Sequence, residues 1–124
     1  MKRDGRWREG QRGERLAAEH LVGIGYQIIA RNQYTRWGEI DLVALKKGHL
    51  CFVEVRSWRT AKFGDSAEWI PPKKLARMAR LADAWTAEHG DVDFDEMTLG
   101  VVLIQWLKGE PDISFIADAI YGAK

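Results

Sequence analysis

Apolar residues recur at helical spacing in two stretches of the chain. The first stretch runs from Glu14 to Ile24, and Gly25 follows it as a stop. Its apolar positions are Ala17, Ala18, Leu21 and Ile24. The second stretch begins at the prolines 71 and 72 and ends near His89, where Gly90 suits a helix terminus. Its predicted buried stripe comprises Leu75, Met78, Ala79, Ala82 and Trp85.

Shorter apolar runs predict five strands. The first helix is followed by a run at residues 26–31 and by two further runs within "GEIDLVALKKGHLCFVEVRSW", residues 38–58. After the second helix come "MTLGVVLIQWL" and "ISFI", which are separated by the turn sequence "GEP". The order α-β-β-β-α-β-β predicts an α/β fold, in which a mixed sheet lies between two helices as a three-layer α-β-α sandwich.

Composition narrows the class of protein. The chain of 124 residues fits one domain, with residues 13–124 as its body and residues 1–12, which hold five basic and two acidic side chains, as a flexible basic N-terminal arm. The single cysteine, Cys51, excludes a disulfide framework and a cysteine zinc site. No run approaches the roughly 20 apolar residues of a membrane span, and no secretion signal is present, so we expect a soluble cytoplasmic protein without a membrane partner. A net charge of +1 does not by itself indicate nucleic acid.

Acidic residues gather at the open end of the predicted hairpin. A symmetric turn centred on Lys47-Gly48 places Asp41 opposite Glu54 and Glu39 opposite Arg56 on one side of the ribbon. The other side is entirely apolar and comprises Ile40, Leu42, Ala44, Cys51, Val53 and Val55. This register requires that neither strand contains a bulge.

Two opposed carboxylates need a compensating cation. Mg²⁺ binds oxygen ligands and is commonly held by one or two carboxylates, so Asp41 and Glu54 suit it. In the alternative interpretation, Arg56 and another basic residue neutralise the acids as an ion cluster at the rim of the sheet. Spacing alone favours the ion cluster.

Several motifs together resemble a known family. "GEIDLVA", "FVEVR", a following "FG", a lysine at a helix start and a late "IADAI" resemble the bacterial YraN-like family (UPF0102) from Gly13 to the C-terminus. That family belongs to the PD-(D/E)XK superfamily, which includes restriction endonucleases and archaeal Holliday-junction resolvases. The resemblance implies the αβββαβ restriction endonuclease-like core and a metal-dependent endonuclease that hydrolyses phosphodiesters in DNA, either branched or single-stranded.

The resemblance also implies roles for individual residues. Asp41, Glu54 and the backbone carbonyl of Val55 would bind the divalent metal, Mg²⁺ or Mn²⁺. Arg56 stands in the place of the superfamily's lysine, and Glu14 matches its first-helix glutamate. Helical spacing independently places Glu14 on the sheet-facing side, although an acid favoured by the helix dipole is a comparable interpretation.

Substrate contacts are predicted from the resemblance and from the distribution of basic residues. These residues are Arg36, Glu39, Lys74, Arg59, Lys62 and Arg77. Phosphates are bound by Lys and Arg. In the alternative interpretation, the same basic residues form a solvated helix face, and Lys74 packs its stem on the core with its charged end in solvent. Two departures from the family pattern, Tyr34 at a commonly basic position and Gly100 in place of an aspartate, predict weaker substrate binding or a weaker outer shell.

Three hypotheses follow for function. The first is a metal-dependent nuclease that acts on DNA, for which a homodimer that cuts two strands is one arrangement. The second is a nucleic-acid-binding module with a degenerate, inactive site. The third is a protein-interaction domain in which the carboxylates form only a structural ion cluster.

Overall fold

The computed structural model describes residues 5–59, 70–106 and 109–119, with side chains from residue 11 onward. Its elements are α1 (Gly5–Gly23), β1 (Gln27–Thr35), β2 (Gly38–Lys46), β3 (His49–Trp58), α2 (Pro72–Glu88), β4 (Glu96–Gln105) and β5 (Asp112–Ile116). This order is the one that the hydrophobic pattern predicts. No helix within the described ranges is both long enough and apolar enough to cross a membrane.

The five strands form one mixed sheet in the order β1-β2-β3-β4-β5. Strands β3 and β4 are parallel, and the other neighbours are antiparallel. Because parallel neighbours need a crossover connection, α2 is carried across one face of the sheet between them. The predicted mixed sheet is confirmed.

A hydrophobic cluster on each face of the sheet gives three layers. On the α2 face, Phe52 packs edge-to-face on Trp85 with ring centroids 5.7 Å apart, together with Leu81. On the α1 face, Leu21 packs with Leu42 and with residues of β4. Burying one such side chain contributes about 1.5 to 3 kcal/mol, so the two clusters fix both helices on the sheet. The α/β sandwich is confirmed and is consistent with a restriction endonuclease-like core.

Two elements are longer than the apolar pattern predicts. The first helix begins at Gly5 rather than Glu14, so residues 5–12 of the predicted flexible arm are helical in backbone. Arginine, glutamate and glutamine favour a helix without any apolar periodicity, which is why the pattern misses this part. Strand β1 continues to Thr35 through polar residues, because an edge strand has only one neighbour and its exposed positions need not be apolar.

The turn between β2 and β3 confirms the predicted centre of the hairpin. Lys47 and Gly48 have φ angles of +47° and +79°, as a two-residue hairpin turn requires. The ladder then runs in the predicted register from the Lys46–His49 pair to the Leu42–Val53 pair.

Candidate functional site

Strands β2 and β3 separate at the acidic end of the hairpin, where their ladder stops at Leu42–Val53. Ile40 packs in the cluster on the α2 face and Leu42 in the cluster on the α1 face, although residues two apart in a regular strand share a face. The alternation is therefore broken at Asp41. On the neighbouring strand β1, Asn32 has a φ of +49° between the ladder partners of Ile40 and Leu42.

This irregularity corrects the extrapolated register. Within the described strands, Asp41 and Glu54 are not a ladder pair, and neither are Glu39 and Arg56. The symmetric hairpin requires unbroken alternation, and the chain breaks it at the acids. The carboxylates are brought together by the opening between two strands instead of by direct opposition across them.

Asp41 closes the gap that the ladder leaves. Its Oδ2 accepts a hydrogen bond of 2.9 Å from the backbone N–H of Val55. Burial raises the pKa of Asp41 to about 6 against the lowering effect of that hydrogen bond, and the negative charges of Glu14, Glu39 and Glu54 raise it further. Keeping Asp41 ionised at neutral pH therefore costs free energy that a nearby cation would recover.

Glu14 and Glu39 complete a cluster of carboxylates with Asp41. One carboxylate oxygen from each of the three side chains lies within 4.8 Å of the others. Glu14 reaches this position from α1 because Ala17 and Ala18, three and four residues later, are buried against the sheet. The pKa of Glu14 is raised, first by burial and then by the charge of Glu39, while hydrogen bonding to a neighbouring side chain opposes the shift.

Glu54 lies beside this cluster, and only one of its two carboxylate oxygens has a partner among the described residues. Its Oε1 forms an ion pair with Lys74 Nζ of α2. Its Oε2 is buried and has no hydrogen-bond partner among the described residues. Buried polar atoms are almost always satisfied, so this oxygen is a position where a cation or a donor is expected. Glu54, Asp41, Glu39, Lys74 and Arg77 all line one cavity of about 260 Å³.

The donor set suits a hard divalent cation. All four acids offer oxygen, which Mg²⁺ and Mn²⁺ prefer, and no nitrogen or sulfur ligand is among them. The pKa of Asp41 is raised by burial and by neighbouring carboxylates, and Glu54 Oε2 has no hydrogen-bond partner among the described residues, so both groups would be stabilised by a cation. The predicted metal fits the residues present, with Glu14 and Glu39 as neighbours of the predicted pair.

The predicted substrate residues fall into two groups. Glu39, Lys74 and Arg77 line the acidic cavity. Arg36 lies in the β1–β2 turn and Arg59 directly after β3, and neither is among the residues that line this cavity. Arg56, which the resemblance places among the catalytic residues, lies in β3 with its guanidinium carbon 5.7 Å from the centre of the Trp58 ring. Lys62 lies outside the described residues.

Sequence reasoning missed the aromatic residue of the β1–β2 turn. The Trp37 ring lies under two guanidinium groups, with Arg36 Cζ at 4.7 Å and Arg80 Cζ at 5.3 Å from the ring centroid. The sequence does show the adjacent pair, Arg36 and Trp37. Its contact with Arg80 depends on how the turn meets α2, which the sequence does not display.

Gly100 has a steric explanation. A Cβ atom at this position would lie 2.6 Å from Cys51 Sγ and 3.0 Å from the carbonyl oxygen of Ile116. The space that a family aspartate would fill is therefore taken by the thiol and by strand β5. Burial also raises the pKa of the Cys51 thiol to about 11, which keeps it neutral in this packed position.

The chain resembles proteins from diverse bacteria. A sequence model described as Uncharacterised protein family UPF0102 matches residues 13–104. A UPF0102 protein of Acidothermus cellulolyticus is 41% identical over 99 residues, which cover 78% of this chain and 75% of the relative. UPF0102 protein STH1475 of Symbiobacterium thermophilum is 47% identical over 83 residues, covering 67% and 70%. A UPF0102 protein of Anaeromyxobacter dehalogenans is 37% identical over 119 residues, covering 96% and 88%.

Proposed function

Because the chain belongs to the YraN-like family UPF0102, whose description assigns no activity, we propose a function from the site itself: metal-dependent hydrolysis of phosphodiester bonds in DNA. The observation that carries this proposal is the convergence of Glu14, Glu39 and Asp41, whose carboxylate oxygens lie within 4.8 Å of one another. Carboxylates placed so closely repel one another, and a fold that only needed stability would not gather them.

The acids and the basic residues have distinct tasks in this proposal. Asp41 and Glu54 would hold a Mg²⁺ or Mn²⁺ ion, which lowers the pKa of a bound water and neutralises charge on the phosphate. Lys74 pairs with Oε1 of Glu54, and Oε2 is left without a hydrogen-bond partner among the described residues. A guanidinium group does not act as a base in proteins, so Arg56 can only clamp a phosphate or orient water.

Proton transfer falls to a carboxylate of the cluster. A general base works best when its pKa lies close to the working pH, and burial shifts the pKa of Glu14 upward in that direction. Glu14 also lies on a rigid helix that packs on the sheet through Ala17 and Leu21, which holds its oxygen in place. We assign the acceptance of the water proton to Glu14, with the exposed Glu39 as its neighbour.

A second function, nucleic-acid binding without cleavage, is favoured by two features of the site. Lys74 occupies Oε1 of Glu54, and Arg56 replaces the lysine that could orient or deprotonate water. If Lys74 remains on Glu54 when substrate is present, the site has fewer free ligands for a metal. Such a protein would bind DNA through the same basic residues and leave it intact.

The two functions are separated by a cleavage assay. Single-stranded, linear duplex and branched DNA are incubated with the full chain in Mg²⁺ or Mn²⁺ and, separately, in chelator. Wild type is expected to cleave at least one substrate only with metal, and Asp41→Asn and Glu54→Gln are each expected to lose at least about 100-fold in rate. The matched control is Glu96→Gln, an exposed acid at the opposite end of β3 and β4, which should cleave like wild type.

The other results of this assay would support the second function or contradict the proposal. DNA binding without metal-dependent cleavage selects the second function. Equal cleavage by wild type and both site variants would show that the activity does not belong to this site and would contradict the proposal.

A further inference from the structure

An exposed tyrosine stands directly beside the acidic cluster. Tyr34 is 78% exposed, the largest exposed fraction among the large hydrophobic side chains of the described residues. It pairs with Glu39 in the β1–β2 ladder. Opposed residues of an antiparallel pair point to the same side with Cβ atoms about 4.5 to 5.5 Å apart, so the Tyr34 ring adjoins a carboxylate of the cluster.

The turn that follows Tyr34 is held in one conformation. The Thr35 hydroxyl donates to the carbonyl of Gly38 at 3.3 Å and accepts from the backbone N–H of Trp37 at 3.0 Å. Tyr34 makes no hydrogen bond or ring contact with the described part of the chain, whereas Trp37 is covered by arginine side chains and is 36% exposed. The Tyr34 ring, near the end of β1 and next to this turn, is therefore an aromatic face that is exposed to solvent.

Three arginines surround this turn. Arg36 and Arg80 lie over the Trp37 ring at 4.7 Å and 5.3 Å, and a Cβ atom on Gly38 would be 4.0 Å from the side chain of Arg77. The turn thus packs on the basic face of α2. Gly38 and Arg77 also line the acidic cavity, so the basic surface and the acids are continuous.

This combination matches the chemistry of an unpaired nucleotide. Arginines bind phosphates, and an aromatic ring binds the face of a base. In a duplex both faces of each base are covered by stacking on its neighbours, so a duplex offers Tyr34 no free face unless a base leaves the stack. An unpaired nucleotide offers a phosphate and a base face together.

We propose that Tyr34 is the stacking platform for an unpaired base next to the cleavage position, while Arg36, Arg77 and Arg80 hold the adjoining phosphates. The site would then select DNA at single-stranded or branched positions over continuous duplex. This inference rests on the proposed function, because it names the substrate of the same site. It adds a specificity residue, Tyr34, that takes no part in the hydrolysis.

The test measures binding in chelator, where cleavage is absent. Fluorescence anisotropy of labelled probes compares a single strand, the matching duplex and a single strand of abasic nucleotides, which keeps the phosphates and lacks the bases. Tyr34→Ala is expected to weaken single-strand binding roughly 5- to 100-fold and duplex binding less than about 2-fold. Tyr34→Phe keeps the ring and should bind like wild type.

Two controls isolate the base contact. On the abasic probe, wild type should bind as weakly as Tyr34→Ala, and Tyr34→Ala should cause no further loss. Phe94→Ala removes another exposed aromatic ring, which precedes β4 at the far end of the hairpin, and should change nothing. Because Tyr34 is mostly exposed, Tyr34→Ala and Tyr34→Phe should unfold at the wild-type temperature.

Failure of the inference can be told from failure of the proposed function. If cleavage depends on Asp41 and Glu54 but Tyr34→Ala leaves the ratio of single-strand to duplex affinity unchanged, only the inference is overturned. If Tyr34-dependent single-strand binding occurs without metal-dependent cleavage, the inference stands and the catalytic function is overturned. If wild type binds no DNA probe, both are overturned.

Discussion

The two ends of the β2–β3 hairpin differ in how completely their polar groups are hydrogen-bonded. At the turn end, Tyr26 Oη lies 2.9 Å from His49 Nδ1, His49 Nε2 lies 2.7 Å from Thr98 Oγ1, and Thr98 donates to the carbonyl of Ala117 at 2.6 Å. A carbonyl only accepts, so Thr98 must accept from His49 Nε2–H, which leaves Nδ1 to accept from Tyr26. In this arrangement every proton of the chain has one acceptor.

At the open end the polar groups are not satisfied in this way. Asp41 has a raised pKa, Glu54 Oε2 is buried without a partner among the described residues, and the β2–β3 ladder stops. Both ends are built from the same two strands, and they differ in how completely their polar groups are paired. This difference is what the proposed metal site requires, because a carboxylate with a raised pKa and an unpartnered carboxylate oxygen are groups that a cation would stabilise.

The largest effect on stability is expected at Gly100, where an added side chain has no room. Gly100→Asp should lower the free energy of unfolding by about 3 kcal/mol or more, because the new side chain overlaps Cys51 Sγ and buries a charge. Gly100→Ala should cost about 1 to 3 kcal/mol. Urea unfolding measures both, and adding Cys51→Ala to Gly100→Ala should recover part of the loss. Wild-type stability in Gly100→Ala would contradict this packing.

The hydrogen-bonded chain at the turn end is expected to give the next effect. His49→Leu should cost about 1 to 3 kcal/mol, because it leaves the nearly buried Tyr26 hydroxyl without its acceptor. The double variant Tyr26→Phe/His49→Leu removes both partners and should be more stable than His49→Leu alone. Equal chemical stability of His49→Leu and wild type would show that the chain contributes nothing.

At the open end, a substitution is expected to stabilise the protein instead of destabilising it. The folded state raises the pKa of Asp41 from 3.8 to about 6, so it holds a proton that the unfolded state has already lost. The contribution of Asp41 to stability in chelator should therefore fall as pH rises between these values, and this loss is complete above the folded pKa. Asp41→Asn should be about 1 to 3 kcal/mol more stable than wild type at neutral pH and nearly equal to it at pH values below the unfolded pKa. Thermal unfolding across pH measures this difference, and a less stable Asp41→Asn at neutral pH would contradict it.

The smallest effect is expected on the basic surface. Arg80→Met should leave stability within about 0.5 kcal/mol and reduce the salt dependence of single-strand binding by about one phosphate contact. Lys47→Met, at the turn end, is the matched control and should keep the wild-type salt slope. Identical slopes for wild type and Arg80→Met would remove Arg80 from the binding surface.

The sequence predicts the fold well because its signals are local. Periodicity two in the hairpin and 3.6 in α2 determine the faces that pack, and the turn at Lys47-Gly48 sets the register up to Leu42–Val53. Asp41 and Glu54 reach the same cavity because they lie directly beyond the last hairpin pair, Leu42–Val53, and Lys74 joins them from the first turn of α2. Leu81 is buried in α2 although the predicted stripe omits it, because the buried face of the helix is wider than the predicted stripe.

The details of the site depend on contacts that no local pattern shows. The break at Asp41 accompanies a positive φ at Asn32 on the neighbouring strand, and the approach of Glu14 depends on how α1 packs. The surroundings of Tyr34 could not be predicted either, because the sequence shows only that a tyrosine stands where the family commonly has a basic residue. Its exposure and its pairing with Glu39 suggest a different use for the position.

The central claim, that the open end is a divalent metal site, is tested most directly by thermal unfolding at neutral pH with and without Mn²⁺. A ligand that binds only the folded state raises its stability in proportion to its affinity. Wild type should start lower than Asp41→Asn in chelator and rise on addition of Mn²⁺, whereas Asp41→Asn should respond little and Glu96→Gln should respond like wild type. Equal responses of wild type and Asp41→Asn, or no response in wild type, would contradict the claim.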